Sequence, residues 1–124
     1  MVKTLAWIFG IVFLLIGLLG LFQDPILGIF DTDGLHNTVH LLTGVIGVVA
    51  ALSGEKGAKL YLQVFGVVYA LVAILGFFGG SSILGLISTN FADNVLHAVV
   101  AVVLLWGGFG KMKQMSAPAS PAMP

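Results

Sequence analysis

The sequence predicts an all-α integral membrane protein: a four-transmembrane-helix bundle built from two repeated helical hairpins, with N and C termini cytoplasmic. Three observations carry this. Of 124 residues, 59% are hydrophobic and 8% charged, against about 45–50% and about 25% in an ordinary soluble domain. Four apolar runs approach the roughly 20 residues that cross a bilayer. All five lysines fall in alternate connections, and there is no arginine.

The first span is expected at 5–22. It is longer than the apolar region of a signal peptide and no small-residue cleavage site follows, so it reads as a membrane helix. The second is expected at 34–53, its apolar run from Val39 extended back to a cap at Asp33. The third is placed at 60–78 and the fourth at 91–110, the latter starting after the cap residue Asn90. The remainder, 111–124, rich in Ala and Pro from Ser116 onward, reads as a disordered cytoplasmic tail. Lys3, Lys56, Lys59, Lys111 and Lys113 lie at the N-terminus, the central connection and the C-terminus. The bias of cytoplasmic loops toward lysine then puts these three segments inside and the other two loops outside. Trp7 and Trp106, near the inner ends of the first and fourth spans, suit interface anchors.

Composition also excludes chemistry. There is no cysteine, hence no disulfide, thiolate site or thiol nucleophile. A formal net charge of zero gives no electrostatic case for nucleic acid. No phosphate loop and no nucleophile–base order is visible, so a non-enzymatic role is expected. Asp31-Thr32-Asp33-Gly34 resembles a calcium-loop fragment, but the closing ligands are missing and it reads as a turn into a helix cap.

The halves repeat. Phe9-Gly10-Ile11-Val12-Phe13 aligns with Phe65-Gly66-Val67-Val68-Tyr69; Gly28, Thr32, Asp33, Asn37 and His40 align with Gly85, Thr89, Asn90, Asn94 and His97. Two hairpins related in this way can pack about an axis along the membrane normal. The second span then carries His36 and His40 and the fourth Asp93 and His97, each pair four apart and so on one helix face. His40 lies seven residues past its cap, roughly 10 Å along the helix. Ionisable groups at that depth face the bundle interior and a partner.

Three readings of this constellation are open. In the first, Asp33 and Asn90 cap helices, Asp93 completes the cap, and Asn37, Asn94, the histidines and Tyr69 form a polar cluster tying the second span to the fourth. In the second, His36, His40, Asp93 and His97 bind a divalent metal such as zinc. In the third, ranked behind it, His40 and His97 are axial ligands of a haem; a proton relay through the same groups takes what is left. The first makes the protein an accessory or structural subunit of a larger membrane complex, its partners the lipid bilayer and other membrane subunits or copies of itself.

The stretches Leu35-His36-Asn37-Thr38-Val39-His40-Leu41-Leu42-Thr43-Gly44 and Asn90-Phe91-Ala92-Asp93-Asn94-Val95-Leu96-His97 resemble a bacterial four-helix membrane family catalogued as domain of unknown function 4383. The similarity runs from about Leu5 to Gly110. It implies the four-helix fold and a bacterial inner membrane, and brings no established activity.

Overall fold

A computed structural model describes residues 1–110; the predicted tail lies outside them. Four helices carry the fold: α1 (Val2–Gly20), α2 (Gly34–Ser53), α3 (Glu55–Phe78) and α4 (Phe91–Phe109). All four are long and apolar enough to cross a membrane. Two short strands, β1 (Ser82–Ile83) and β2 (Ile87–Ser88), pair antiparallel between α3 and α4.

Helix starts follow cap chemistry. The Asp33 carboxylate accepts the N–H of His36 at 2.7 Å. At α4 a reciprocal pair forms: Asn90 Oδ1 accepts the Asp93 N–H and Asp93 Oδ2 accepts the Asn90 N–H, both at 2.9 Å. Each arrangement satisfies first-turn donors that have no partner within the helix. Two helices differ from expectation in their bounds. Helix α1 begins at Val2 and ends at Gly20, and α3 begins at Glu55 rather than near position 60. Lys56 and Lys59 thus belong to a helix. Gly54 alone turns the chain between α2 and α3, at φ +116°, a conformation that side chains disfavour, so no longer loop is needed.

The loops 21–33 and 79–90 meet at one end of the bundle. The Asn90 side-chain amide donates to the Ile29 carbonyl at 2.8 Å and the Ser88 N–H to Asp33 Oδ2 at 2.6 Å. Both loops make the same turn. Leu27 and Leu84 have φ of +55° and +53°, followed by Gly28 and Gly85 at +71° and +70°. The carbonyls of Ile26 and Ile83 accept from Ile29 and Leu86, which closes turns of the I′ sense. This small hairpin structure was not anticipated. Below, this end is the loop end, and the opposite one the terminal end.

Helix α1 packs chiefly on α2 and α3 on α4, with α3 also meeting α1 and α2. The α1–α2 seam is backbone against backbone: a Cβ at Gly44 would sit 2.7 Å from Leu14 N and 2.8 Å from Gly10 O. Small residues permit such approach in membrane helices. The interior holds Phe13, Tyr61, Leu62, Tyr69 and Leu104 together with Thr32, His36, Asn37, His40, Thr43, Thr89, Asp93, Asn94 and His97, all buried. The exterior is aliphatic and aromatic, with Leu15, Leu42, Leu71, Phe78 and Val102 exposed. Polar groups inside and apolar groups outside are the distribution that lipid imposes on a helical bundle.

Candidate metal centre

Three histidines converge in the half of the bundle nearest the loop end. The Asp33 cap fixes where α2 starts, and His36 and His40 then stand one turn apart on its inner face. The box at Asn90 and Asp93 does the same for α4 and sets His97 inward. Ring centroids are 4.4 Å apart for His36 and His40, 5.7 Å for His36 and His97, and 6.2 Å for His40 and His97. One nitrogen from each ring lies within 4.8 Å of the other two, and the three residues are buried.

The hydrogen bonding of these rings is incomplete. His36 Nδ1 is 2.9 Å from the Ser88 carbonyl oxygen; since a carbonyl only accepts, Nδ1 is the donor and Nε2 carries the lone pair. That Nε2, His40 Nδ1 and His97 Nδ1 are buried with no hydrogen-bond partner. An unsatisfied buried polar group costs about 1–3 kcal/mol, and lipid offers no water in compensation. Three such atoms on three neighbouring rings are a donor set waiting for an acceptor of electron pairs.

Aromatic rings close the terminal-end side. Phe13 lies 5.5 Å from His40, Tyr69 lies 5.5 Å from His97, and the two stack at 5.0 Å. The Thr43 hydroxyl donates to the Val39 carbonyl at 2.8 Å, so the Tyr69 hydroxyl, 3.2 Å away, donates to it. The expected bond from Tyr69 to a histidine is thereby replaced by one to Thr43, and only its ring meets the cluster. Two cavities flank the rings. One, of about 20 Å³, is lined by all three histidines and closed by Ile83 and Ile87 of the second loop. The other, of about 60 Å³, is lined by His40, His97 and Asp93 and closed by Ile26, Leu27 and Phe30 of the first loop.

Several expected roles are reassigned. Asp93, expected as a fourth ligand, stands outside the cluster of mutually close donor atoms, and one of its oxygens is held by the Asn90 N–H. Asn37 does not bridge α2 to α4. Its amide donates to the Gly20 carbonyl at 2.8 Å and its oxygen accepts from the Thr32 hydroxyl at 2.6 Å, tying α2 to the end of α1. Asn94 likewise lies against Gly76 of α3. Both asparagines therefore lie against their own hairpin, and the rings of His36 and His40 meet His97 across α2 and α4. A haem between His40 and His97 does not fit: a water needs at least 10–15 Å³, so cavities of about 60 and 20 Å³ hold a few small atoms and no macrocycle. Asp33 and Asn90 cap as expected. Partial burial pushes the Asp33 carboxyl up, but the N–H groups of His36 and Ser88 outweigh it and hold the group below the usual carboxylate range. The Ser88 carbonyl escaped the sequence reading, since a main-chain acceptor leaves no mark in residue type.

No curated protein and no solved structure matches the chain. Residues 3–110 match the family described as Domain of unknown function (DUF4383), a span that holds the three histidines and all of the four helices except Val2, so the chain belongs to that family.

Proposed function

We propose that this protein is a non-enzymatic membrane protein that holds one divalent transition-metal ion, zinc or a close relative, at His36, His40 and His97. The observation that carries the reading is the set of three buried ring nitrogens, one on each histidine, without partners. Three imidazoles with an open fourth position are an established zinc ligand set. Tetrahedral bonds of about 2.0–2.1 Å place ligand nitrogens roughly 3.4 Å apart, so modest ring rotations close the cluster. The bond from His36 Nδ1 to the Ser88 carbonyl is the outer support that metal-binding histidines usually have, fixing tautomer and ring orientation.

The lysine distribution supports a bacterial inner-membrane protein with cytoplasmic termini, which puts the ion in the outward half. The matched turns at Leu27-Gly28 and Leu84-Gly85 support descent from a duplicated hairpin. Self-association or a larger membrane complex is supported by the apolar helix exteriors alone. A purely structural role for the polar cluster is favoured by the asparagine bonds and caps, but the same reading asks His40 and His97 to bond between helices, and Nδ1 of each is buried without a partner.

Metal analysis of protein purified in detergent separates these accounts. About one equivalent of zinc or cobalt is expected to survive desalting in the wild type and to be lost in His36→Ala, His40→Ala and His97→Ala variants that keep their helicity. No retained metal in the wild type, with the substitutions only lowering the melting temperature, favours the structural role instead.

A further inference from the structure

We infer that the cation reaches the histidines from the loop end, along an acidic approach made by Asp24, Asp31 and Asp93; this rests on the metal reading above. The charge along the chain is segregated. Four of the five acidic residues, Asp24, Asp31, Asp33 and Asp93, lie at the loop end, and among the described residues no lysine does. Asp33 is occupied, its two oxygens accepting the N–H groups of His36 and Ser88. Of the other three, Asp93 lines the larger cavity, and Asp24 and Asp31 flank the first-loop turn that covers it.

That cavity lies beneath the first-loop turn. Ile26 N–H donates to the Phe30 carbonyl at 2.7 Å, which draws the feet of the turn together, and Asp24 and Asp31 are the residues at those feet. The Thr32 N–H, 3.3 Å from Asp24 Oδ1, links them again. Asp24 is exposed, Asp31 half-buried and Asp93 buried; the Asn90 amide, bonded to the Ile29 carbonyl, holds the first loop over the start of α4, where Asp93 lies. Asp93 lines the cavity of about 60 Å³ together with His40 and His97, each buried with an unpartnered ring nitrogen. The carboxylates thus run from exposed to buried, and the last of them shares its cavity with two unpartnered ring nitrogens.

The second loop lacks this. Its equivalent turn is flanked by Ser81 and Ser88, and the cavity beneath it contains no carboxylate. The two sides of the cluster therefore differ in charge: the side under the second loop seats the ion among three rings, and the side under the first loop admits it. A cleft lined by one sign of charge in low-dielectric walls concentrates counter-ions and raises their association rate by about 10–10³-fold, an effect that salt removes.

The test is the rate of cobalt(II) uptake, followed by its visible absorption in stopped flow, with the full chain in zwitterionic nanodiscs. The double variant Asp24→Asn/Asp31→Asn keeps side-chain shape and the acceptor for Thr32 N–H. It is expected to load on the order of tenfold more slowly than wild type at ~20 mM salt and within about twofold of it at ~500 mM, reaching the same final absorbance. Glu55→Gln, which removes an acidic charge at the terminal end, should load as wild type does. Equal rates for the double variant and wild type at low salt overturn the acidic approach and leave the metal site standing. Absence of any cobalt spectrum in the wild type overturns both.

Discussion

His36 Nδ1 donates to the carbonyl oxygen of Ser88 at 2.9 Å, joining residues 52 apart in sequence. This one bond orients the ring, selects its tautomer and leaves Nε2 as the lone pair facing His40 and His97. Nitrogen-15 NMR of histidine-labelled protein should therefore show one neutral ring protonated at Nδ1, absent in His36→Ala, whose Nε2 resonance moves when zinc is added. A ring protonated at Nε2 in its place would contradict the assigned geometry.

Zinc should stabilise the fold through the same atoms. A ligand at a hundredfold its Kd adds about 2.7 kcal/mol, which for roughly 110 ordered residues raises the melting temperature on the order of 10 °C. Wild type should show this shift, and His40→Ala and His97→Ala should show none. The measurement is thermal unfolding in detergent with and without the metal.

The cap at Asp33 predicts a pH dependence with a definite sign. The folded state holds this carboxyl below its ordinary value, so its stabilisation is complete above that value and disappears as pH falls through the folded one. Asp33→Ala should cost about 1–2 kcal/mol at pH 7. The gap between the variant and wild type should begin to narrow only as pH falls below the ordinary carboxylate value of about 3.9, where the wild-type carboxyl starts to take up its proton. Melting temperatures across pH 3–7 give the comparison.

The two asparagines should not be equivalent, although each stands four residues after its helix cap. Asn37 makes two bonds, whereas Asn94 Oδ1 and Thr89 Oγ1 are buried without partners. Asn37→Ala strands the Gly20 carbonyl and the Thr32 hydroxyl, costing about 1–3 kcal/mol. Asn94→Ala should cost clearly less. Denaturant or thermal unfolding of the two variants side by side decides this.

The helices and caps were legible because their causes are local. Apolar run length marks the spans, and Asp33 and Asn90 announce the helix starts. Spacing by four also placed His36 with His40 correctly. What remained hidden depends on the main chain or on contacts between segments. Leu27 and Leu84 adopt positive φ, which nothing about leucine signals. Asp93 stands both three residues after a cap and four before a histidine, so cap and ligand roles could not be separated until its oxygen was seen on the Asn90 N–H. Asn37 was expected to reach toward α4; its actual partner, Gly20, became visible only once α1 was packed on α2.

X-ray absorption at the metal K-edge of zinc-loaded protein tests the central claim most directly. Three imidazole nitrogens should appear at about 2.0–2.1 Å with one further light ligand, and the imidazole scattering should diminish in His36→Gln. A spectrum of hydrated zinc, or one unchanged by that substitution, would contradict a metal centre built from His36, His40 and His97.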